Sequence, residues 1–150
     1  MTQDLVRDHR PGHSTEAVLF GIVPHGEQRT AAESLHELQL LATTADFVVA
    51  GCMVQHRRHP DPHTYLGAGK LAELAEVVKL ARSGAVICDD SLTPNQARNI
   101  EKAVQVPVLD RSELILQIFG LHARTPQAKL QVELAAIQYE MPRLRQIGRA

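Results

Sequence analysis

Four short runs of apolar, often β-branched residues punctuate the chain, and longer segments with a helical repeat of apolar positions fill the gaps between them. The runs are Ala17 to Val23, Asp46 to Val54, Ala85 to Cys88 and Val106 to Leu109. Near-continuous apolar runs of this length predict strands covered on both faces. Between them, Gln28 to Ala42 places Leu35, Leu38, Leu41 and Ala42 on one helical stripe, and Lys70 to Ala81 does the same with Leu71, Leu74, Val77, Val78 and Ala81. The third intervening segment opens with Thr93-Pro94-Asn95-Gln96. This supplies an N-cap, a proline at the first helical position and a glutamine at N3, a full capping box for a helix running to about Val104.

Strand-helix-strand alternation repeated three times predicts an α/β fold with a four-stranded, mainly parallel sheet, right-handed crossovers and flanking helices. After the fourth strand the rhythm stops. Asp110-Arg111-Ser112-Glu113 reads as a second capping box, and Glu113 to His122 and Pro126 to Gln146 read as helices with no strand after them. The expected organisation is a flexible N-terminus over 1–16, an α/β subdomain over 17–110 and a long helical tail over 111–150. Along the tail, Leu130, Leu134, Ile137, Met141 and Leu144 recur at steps of four and three, the seam of a paired helix. The preceding helix carries Leu114, Ile115, Ile118 and Phe119, but is only about half as long and is expected to cover part of that seam. The uncovered remainder predicts self-association or docking of a separately encoded partner.

Composition narrows the class. At 150 residues one hydrophobic core suffices. Cys52 and Cys88 both sit inside apolar runs, which predicts unpaired thiols in a reducing, cytoplasmic compartment. The first sixteen residues mix both charge signs with Pro and Gly, unlike a signal peptide, and no apolar stretch approaches the roughly 20 residues that span a bilayer, so no membrane partner is expected. The formal net charge of −1 hides an asymmetry. From Arg111 onward, six cations (Arg111, Arg124, Lys129, Arg143, Arg145, Arg149) face three acids (Glu113, Glu133, Glu140). A mildly basic tail suits either a solvated helix face or a phosphate backbone.

In open parallel sheets, ligands bind at the carboxyl ends of the strands. Those ends hold most of the conspicuous polar residues: His25 and Glu27, the segment His56 to Lys70, Asp89 and Asp90, then Asp110 and Arg111. The stretch Tyr65-Leu66-Gly67-Ala68-Gly69-Lys70 resembles a phosphate loop, because Gly67 and Gly69 before a helix could aim backbone N–H groups at an anion, with Lys70 beside them. A nucleotide-binding P-loop, however, needs glycine where Thr64 stands and Ser or Thr where Leu71 stands, so no hydroxyl is available for magnesium. The Asn-Lys-x-Asp guanine reader is also absent from these 150 residues.

The spacing of His56, His59 and His63 could suit zinc, yet Arg57 and Arg58 oppose a dication and Pro60 and Pro62 stiffen the loop, so a cationic surface loop is expected and no metal. Asp89 and Asp90 fit either a magnesium site or the positive end of the following helix. No nucleophile with a neighbouring base stands out, so no catalytic residue is assigned.

Five ordered blocks carry a family resemblance: Thr64 to Leu71; Cys88-Asp89-Asp90-Ser91-Leu92-Thr93-Pro94-Asn95-Gln96-Ala97-Arg98-Asn99; Val108-Leu109-Asp110-Arg111; Ile115 to Phe119; and Ala123-Arg124-Thr125 with Lys129 to Ala135. Over about residues 17 to 145 the chain resembles the amino-terminal domain of HflX-type ribosome-associated GTPases. The resemblance implies a parallel α/β subdomain followed by a long antiparallel helical pair whose connecting loop reaches toward the peptidyl-transferase region of the large ribosomal subunit. It also implies that the full-length proteins bind the large subunit and can split ribosomes, with GTP binding supplied by a GTPase domain that follows. Because the sequence stops at Arg145-Gln146-Ile147-Gly148-Arg149-Ala150, near where the inter-helical loop would begin, the tail is expected to be a truncated hairpin. GTP and magnesium would then belong to a domain outside it.

Two functional readings follow. The first is a non-catalytic module that binds large-subunit ribosomal RNA through Arg57, Arg58, Lys70, Arg124, Lys129, Arg143 and Arg145, contacting phosphates rather than bases. The second is a small-ligand or Mg-nucleotide enzyme on the strand-end face, using Asp89, Asp90 and Lys70.

Overall fold

The computed structural model describes residues 15–24, 26 and 30–147, with side chains as far as Tyr139. Strand β1 (Thr15–Val23) leads through two short helices, α1 (Ala31–Ser34) and α2 (His36–Thr44), to β2 (Phe47–His56). Helix α3 (Ala68–Ala81), β3 (Ala85–Cys88), α4 (Pro94–Val104) and β4 (Val108–Leu109) follow, and then α5 (Arg111–His122) and α6 (Pro126–Ile147). The strands form one sheet in the order β2-β1-β3-β4, with every pair parallel.

The alternation within each central strand sorts its side chains into two cores. Val18, Phe20, Val86 and Cys88 point to the face covered by α3 and α4, where they meet Leu71, Leu74, Val78, Ala97 and Ile100. Ala17, Leu19, Ala85 and Ile87 point to the other face, where Leu35, Leu38 and Ala42 meet Leu114 of α5. Each fully buried Leu or Ile contributes roughly 1.5–3 kcal/mol, so the two layers together hold the sheet from both sides.

The expected helix from Gln28 to Ala42 is broken. Thr30 accepts from the Glu33 amide while the Glu33 carboxylate accepts from the Thr30 amide, so a capping box starts the helix at Ala31. Leu35 then leaves helical geometry at φ −104, ψ 10, and is 1% exposed. Burying that side chain in the sheet interface wins over continuing the helix. The capping box at Thr93 forms as the sequence predicts, and Asp110 accepts from the Glu113 amide at the start of α5. Thr15 and Glu16, expected in a flexible terminus, already belong to β1, and the fourth strand is two residues long rather than four.

The tail folds back on the domain. Near its start, Val132 of α6 lies where a Cβ on Gly120, near the end of α5, would touch it at 3.7 Å. Farther along, the Tyr139 hydroxyl bonds Asp110 at the start of α5. These two contacts make α5 and α6 an antiparallel pair, with α6 also packed on α4. The face of α6 turned inward carries the partly covered Ala128, Val132, Ala135, Ala136 and Tyr139. The predicted seam points outward: Leu130, Leu134 and Ile137 are 56%, 51% and 53% exposed. The expectation that α5 covers part of that seam is therefore corrected. Small side chains let the two helices approach closely, while Leu114 and Ile118 of α5 are spent on the sheet core. Met141 and Leu144, the last two positions of the seam, have side chains outside the described residues.

Candidate nucleic-acid interface

The sheet order reverses between β1 and β3, and the crevice at their carboxyl ends is where an open α/β sheet ordinarily takes a ligand. Here the protein fills it. Tyr65, held at φ 64 in the β2–α3 loop, drives its ring into the upper core until it is 1% exposed, edge-on to Phe20 at 5.8 Å between centroids. Its hydroxyl accepts from the Ile22 amide at 3.2 Å, where β3 no longer runs alongside β1, and donates to Asp90. Burial is the main force pushing the Tyr65 hydroxyl far above its ordinary pKa, and the neighbouring Cys88 and Asp90 add to it.

The acids of the enzyme reading are therefore engaged. Asp90 receives Tyr65. Asp89 holds Arg111 through a 2.8 Å ion pair, and its carbonyl accepts from Arg111 Nε at 3.0 Å. Arg111 reaches on to Glu37 at 3.1 Å, and although partial burial opposes its charge, the bond to Asp89 and the two carboxylates hold its pKa above the usual arginine value. Neither acid serves the start of α4, which Thr93 caps, and Lys70 pairs with Glu73 at 3.1 Å.

The phosphate-loop resemblance meets a further obstacle. Gly67 is the N-cap of α3, but its amide donates to Gln55 Oε1 at 2.8 Å. A Cβ there would stand 2.9 Å from a guanidinium nitrogen of Arg57 and 3.0 Å from Gln55. The ends of two long side chains, Gln55 of β2 and Arg57 just after it, lie over Gly67 and would have to shift to admit a larger residue.

The loop between β2 and α3 is a braced projection. Asp61 Oδ1 accepts from the amides of His63 and Thr64, which hold its carboxyl below the usual carboxylate range. Asp61 and Tyr65 exchange backbone bonds of 3.0 and 2.9 Å. From α4, Gln96 donates to the Asp61 carbonyl and Asn99 to the His63 carbonyl, each at 2.8 Å. The brace leaves Arg58, His59 and Pro60 exposed at the tip, with Arg57 half-buried at its root. His56, His59 and His63 are all exposed, and no group of three ligating side chains suited to a metal ion occurs among the described residues.

The seven cations proposed from sequence do not form one patch. Arg57, Arg58 and Lys70 stand on the strand-end face. Arg124 and Lys129 are exposed at the opposite end, because α5 descends from that face and α6 only begins to climb back there. Lys129 lies ten residues before Tyr139, about 15 Å along the helix axis. Arg143 and Arg145 follow Tyr139 on α6, with side chains outside the described residues, as are His25 and Glu27. Sequence alone does not mark Tyr65 as the filler of the crevice; its local signal is a lone large aromatic two residues before Gly67.

The fold and this face define a parallel α/β platform with an appended helix, whose exposed features are a braced cationic loop and an apolar helical stripe. The chain belongs to the family of HflX-type GTPases and corresponds to their N-terminal region. A family model described as the N-terminal region of GTP-binding GTPases matches residues 32–120, more than half of the chain, and one for their middle region matches 122–150. The GTPase HflX of Lacrimispora saccharolytica is 40% identical over 129 residues, covering 86% of this chain and 30% of that protein. The GTPase HflX of Caldanaerobacter subterraneus is 38% identical over 146 residues, covering 97% and 32%. A GTP-binding protein from Sulfolobus solfataricus, solved in complex with GDP, superposes with a TM-score of 0.67 at 25% identity, over 90% of this chain and 40% of that one. The chain thus spans about a third of the length of these curated relatives. Among the described residues, no helix is long and apolar enough to cross a membrane.

Proposed function

We propose that this chain is a ribosome-binding module of an HflX-type GTPase in the cytoplasm, contacting large-subunit RNA, with GTP and magnesium handled by a separate domain. The observation that carries the non-catalytic part is Tyr65. The crevice where an enzyme of this fold would hold its ligand is filled by the protein's own ring, and the nearby Asp89, Asp90 and Lys70 are each bound to another side chain. Arg58 is exposed on that face and Arg57 is half-buried beside it, set apart from the exposed acids Glu37, Glu73 and Asp90 by the projecting loop, and exposed cations bind phosphates by releasing counterions.

The braced loop with Arg57 and Arg58 is the leading contact, joined by Arg143 and Arg145, which follow Tyr139 in the sequence of α6. Arg124 and Lys129 form a second, separate contact. The outward stripe of Leu130, Leu134 and Ile137 suits an apolar helix from the remainder of the GTPase, whether encoded in the same chain or separately.

Co-sedimentation with large ribosomal subunits across a salt series tests the reading. Binding should fall steeply with salt, and replacing Arg57 and Arg58 by Glu should weaken it more than replacing Arg124 and Lys129. Salt-independent binding, or binding indifferent to both pairs, would remove the RNA-contact proposal. Turnover of GTP by the purified chain, surviving repurification, would remove the non-catalytic one.

A further inference from the structure

Strand β2 is an edge of the sheet and bears few of the features that normally protect one. Its ten residues, Phe47–His56, contain no proline, no lysine and no carboxylate. Natural edges are blunted by charge, proline, brevity, bulges or cover, since an open row of N–H and C=O groups is a template for another strand. Among the described residues, the one such device is a register shift opposite Ala17 and Val18, which leaves Ala50 as the extra residue of a bulge. Beyond it, Gly51 to His56 pair regularly with β1.

The direction of the unused groups can be read from the ladder. The Arg57 amide donates to the Val23 carbonyl, so backbone alternation turns residues 53, 55 and 57 toward β1. The N–H and C=O groups of Cys52, Val54 and His56 therefore point outward, and among the described residues no strand lies on that side.

We infer that this edge pairs with β2 of a second copy. A two-fold axis normal to the sheet sets the two strands antiparallel, each outward donor meeting an outward acceptor, and every bond made once is made twice. The charge pattern agrees with that partner. The run from Phe47 to Gln55 is uncharged, so no like charges face one another, and the Arg57-Arg58 pairs fall at opposite ends of the junction. Apolar surface flanks it as well. Val77 of α3 lies 4.0 Å from a Cβ placed on Gly51, and Leu80, one turn farther on, is 84% exposed. Pairing over about six residues makes an interface below roughly 1,200 Å², the size class of weak and transient association, so the dimer forms at high micromolar rather than nanomolar concentration.

Light scattering of the intact chain over a concentration series should show mass rising from 16.5 kDa toward twice that value. His56→Pro deletes an outward donor without touching the bonds to β1, and by symmetry removes two bonds, weakening association about ten-fold or more. Ala50→Lys, at the exposed bulge, should act in the same direction. Hydrogen exchange on the wild type supplies an independent readout: the amides of Cys52, Val54 and His56 should gain protection as concentration rises. A wild type that stays monomeric to near-millimolar concentration overturns the inference. So does unchanged exchange at those amides, or a dimer insensitive to both edge variants and dissolved by Ile137→Glu, which would assign it to the α6 stripe.

Discussion

Tyr139, thirteen residues into the last helix, gives its hydroxyl to the carboxylate of Asp110, the residue that begins the helix before it. Asp110 is fully buried and also accepts from the amides of Leu92 and Glu113, each at 2.9 Å. One carboxylate thus ties the approach to α4, the cap of α5 and the body of α6 to the same point above β4.

That junction predicts two graded losses. Asp110→Ala removes a helix cap and leaves the Leu92 amide buried without this acceptor, a cost of about 3 kcal/mol. Tyr139→Phe removes one buried bond and should cost about 1–2 kcal/mol. Chemical denaturation measures both, and exchange of the α6 amides should speed up in Tyr139→Phe while the sheet stays protected. Equal loss of protection in sheet and helix would mean that α6 does not open as a separate unit.

The two faces of α6 should respond unequally to charge. Ile137→Glu and Leu134→Glu fall on half-exposed positions and should shift stability by no more than about 0.5 kcal/mol. Val132→Glu places a carboxylate against Gly120 and should cost about 2 kcal/mol or more. Thermal melts of the three variants check this. A large loss in Ile137→Glu would show that the outward stripe is covered in solution.

Stability should fall on the alkaline side. Burial raises the pKa of Cys88 above its ordinary value of 9.0 and that of Tyr65 above its ordinary value of 10.0. Both groups are neutral in folded and unfolded chains at lower pH, so their contribution is fully present there. As pH rises past the ordinary values, the unfolded chain ionises and the folded one does not, removing up to about 1.4 kcal/mol per pH unit per group. Urea midpoints taken from neutral to strongly alkaline pH should decline in two steps, the first absent in Cys88→Ala and the second in Tyr65→Phe.

Helices α3 and α4 each end on a non-glycine residue in the left-handed region, Arg82 at φ 50 and Gln105 at φ 60. Either position changed to glycine should gain about 1 kcal/mol, since the conformation costs an L side chain that much. Gln105 also donates its side-chain amide to the Lys102 carbonyl at 2.6 Å, so Arg82→Gly should show the clearer gain by calorimetry.

Much of the architecture was legible along the chain because its signals are local. The capping box at Thr93 lies within four consecutive residues, and the apolar runs that became β1, β2 and β3 need no knowledge of their neighbours. The break at Leu35 was harder to read, because Gln28 to Ala42 has an unbroken helical stripe. Only the sheet beneath it makes burying Leu35 worth a turn of helix. The candidate site was legible as a list of residues rather than as an arrangement.

By itself the sequence determined the order of strands and helices, the family, and the apolar stripe of the tail, all of which depend on residue type and spacing. The tertiary structure decided what those residues face. Tyr65 fills the crevice because the β2–α3 loop folds over the strand ends, and Asp89 is engaged because Arg111, twenty-two residues later, returns beside it. Leu130, Leu134 and Ile137 stay outward because Ala135, Ala136 and Val132 let α6 approach α5 on the other side. Each of these outcomes is a competition between distant groups for one position in space, which the order of residues along the chain does not record.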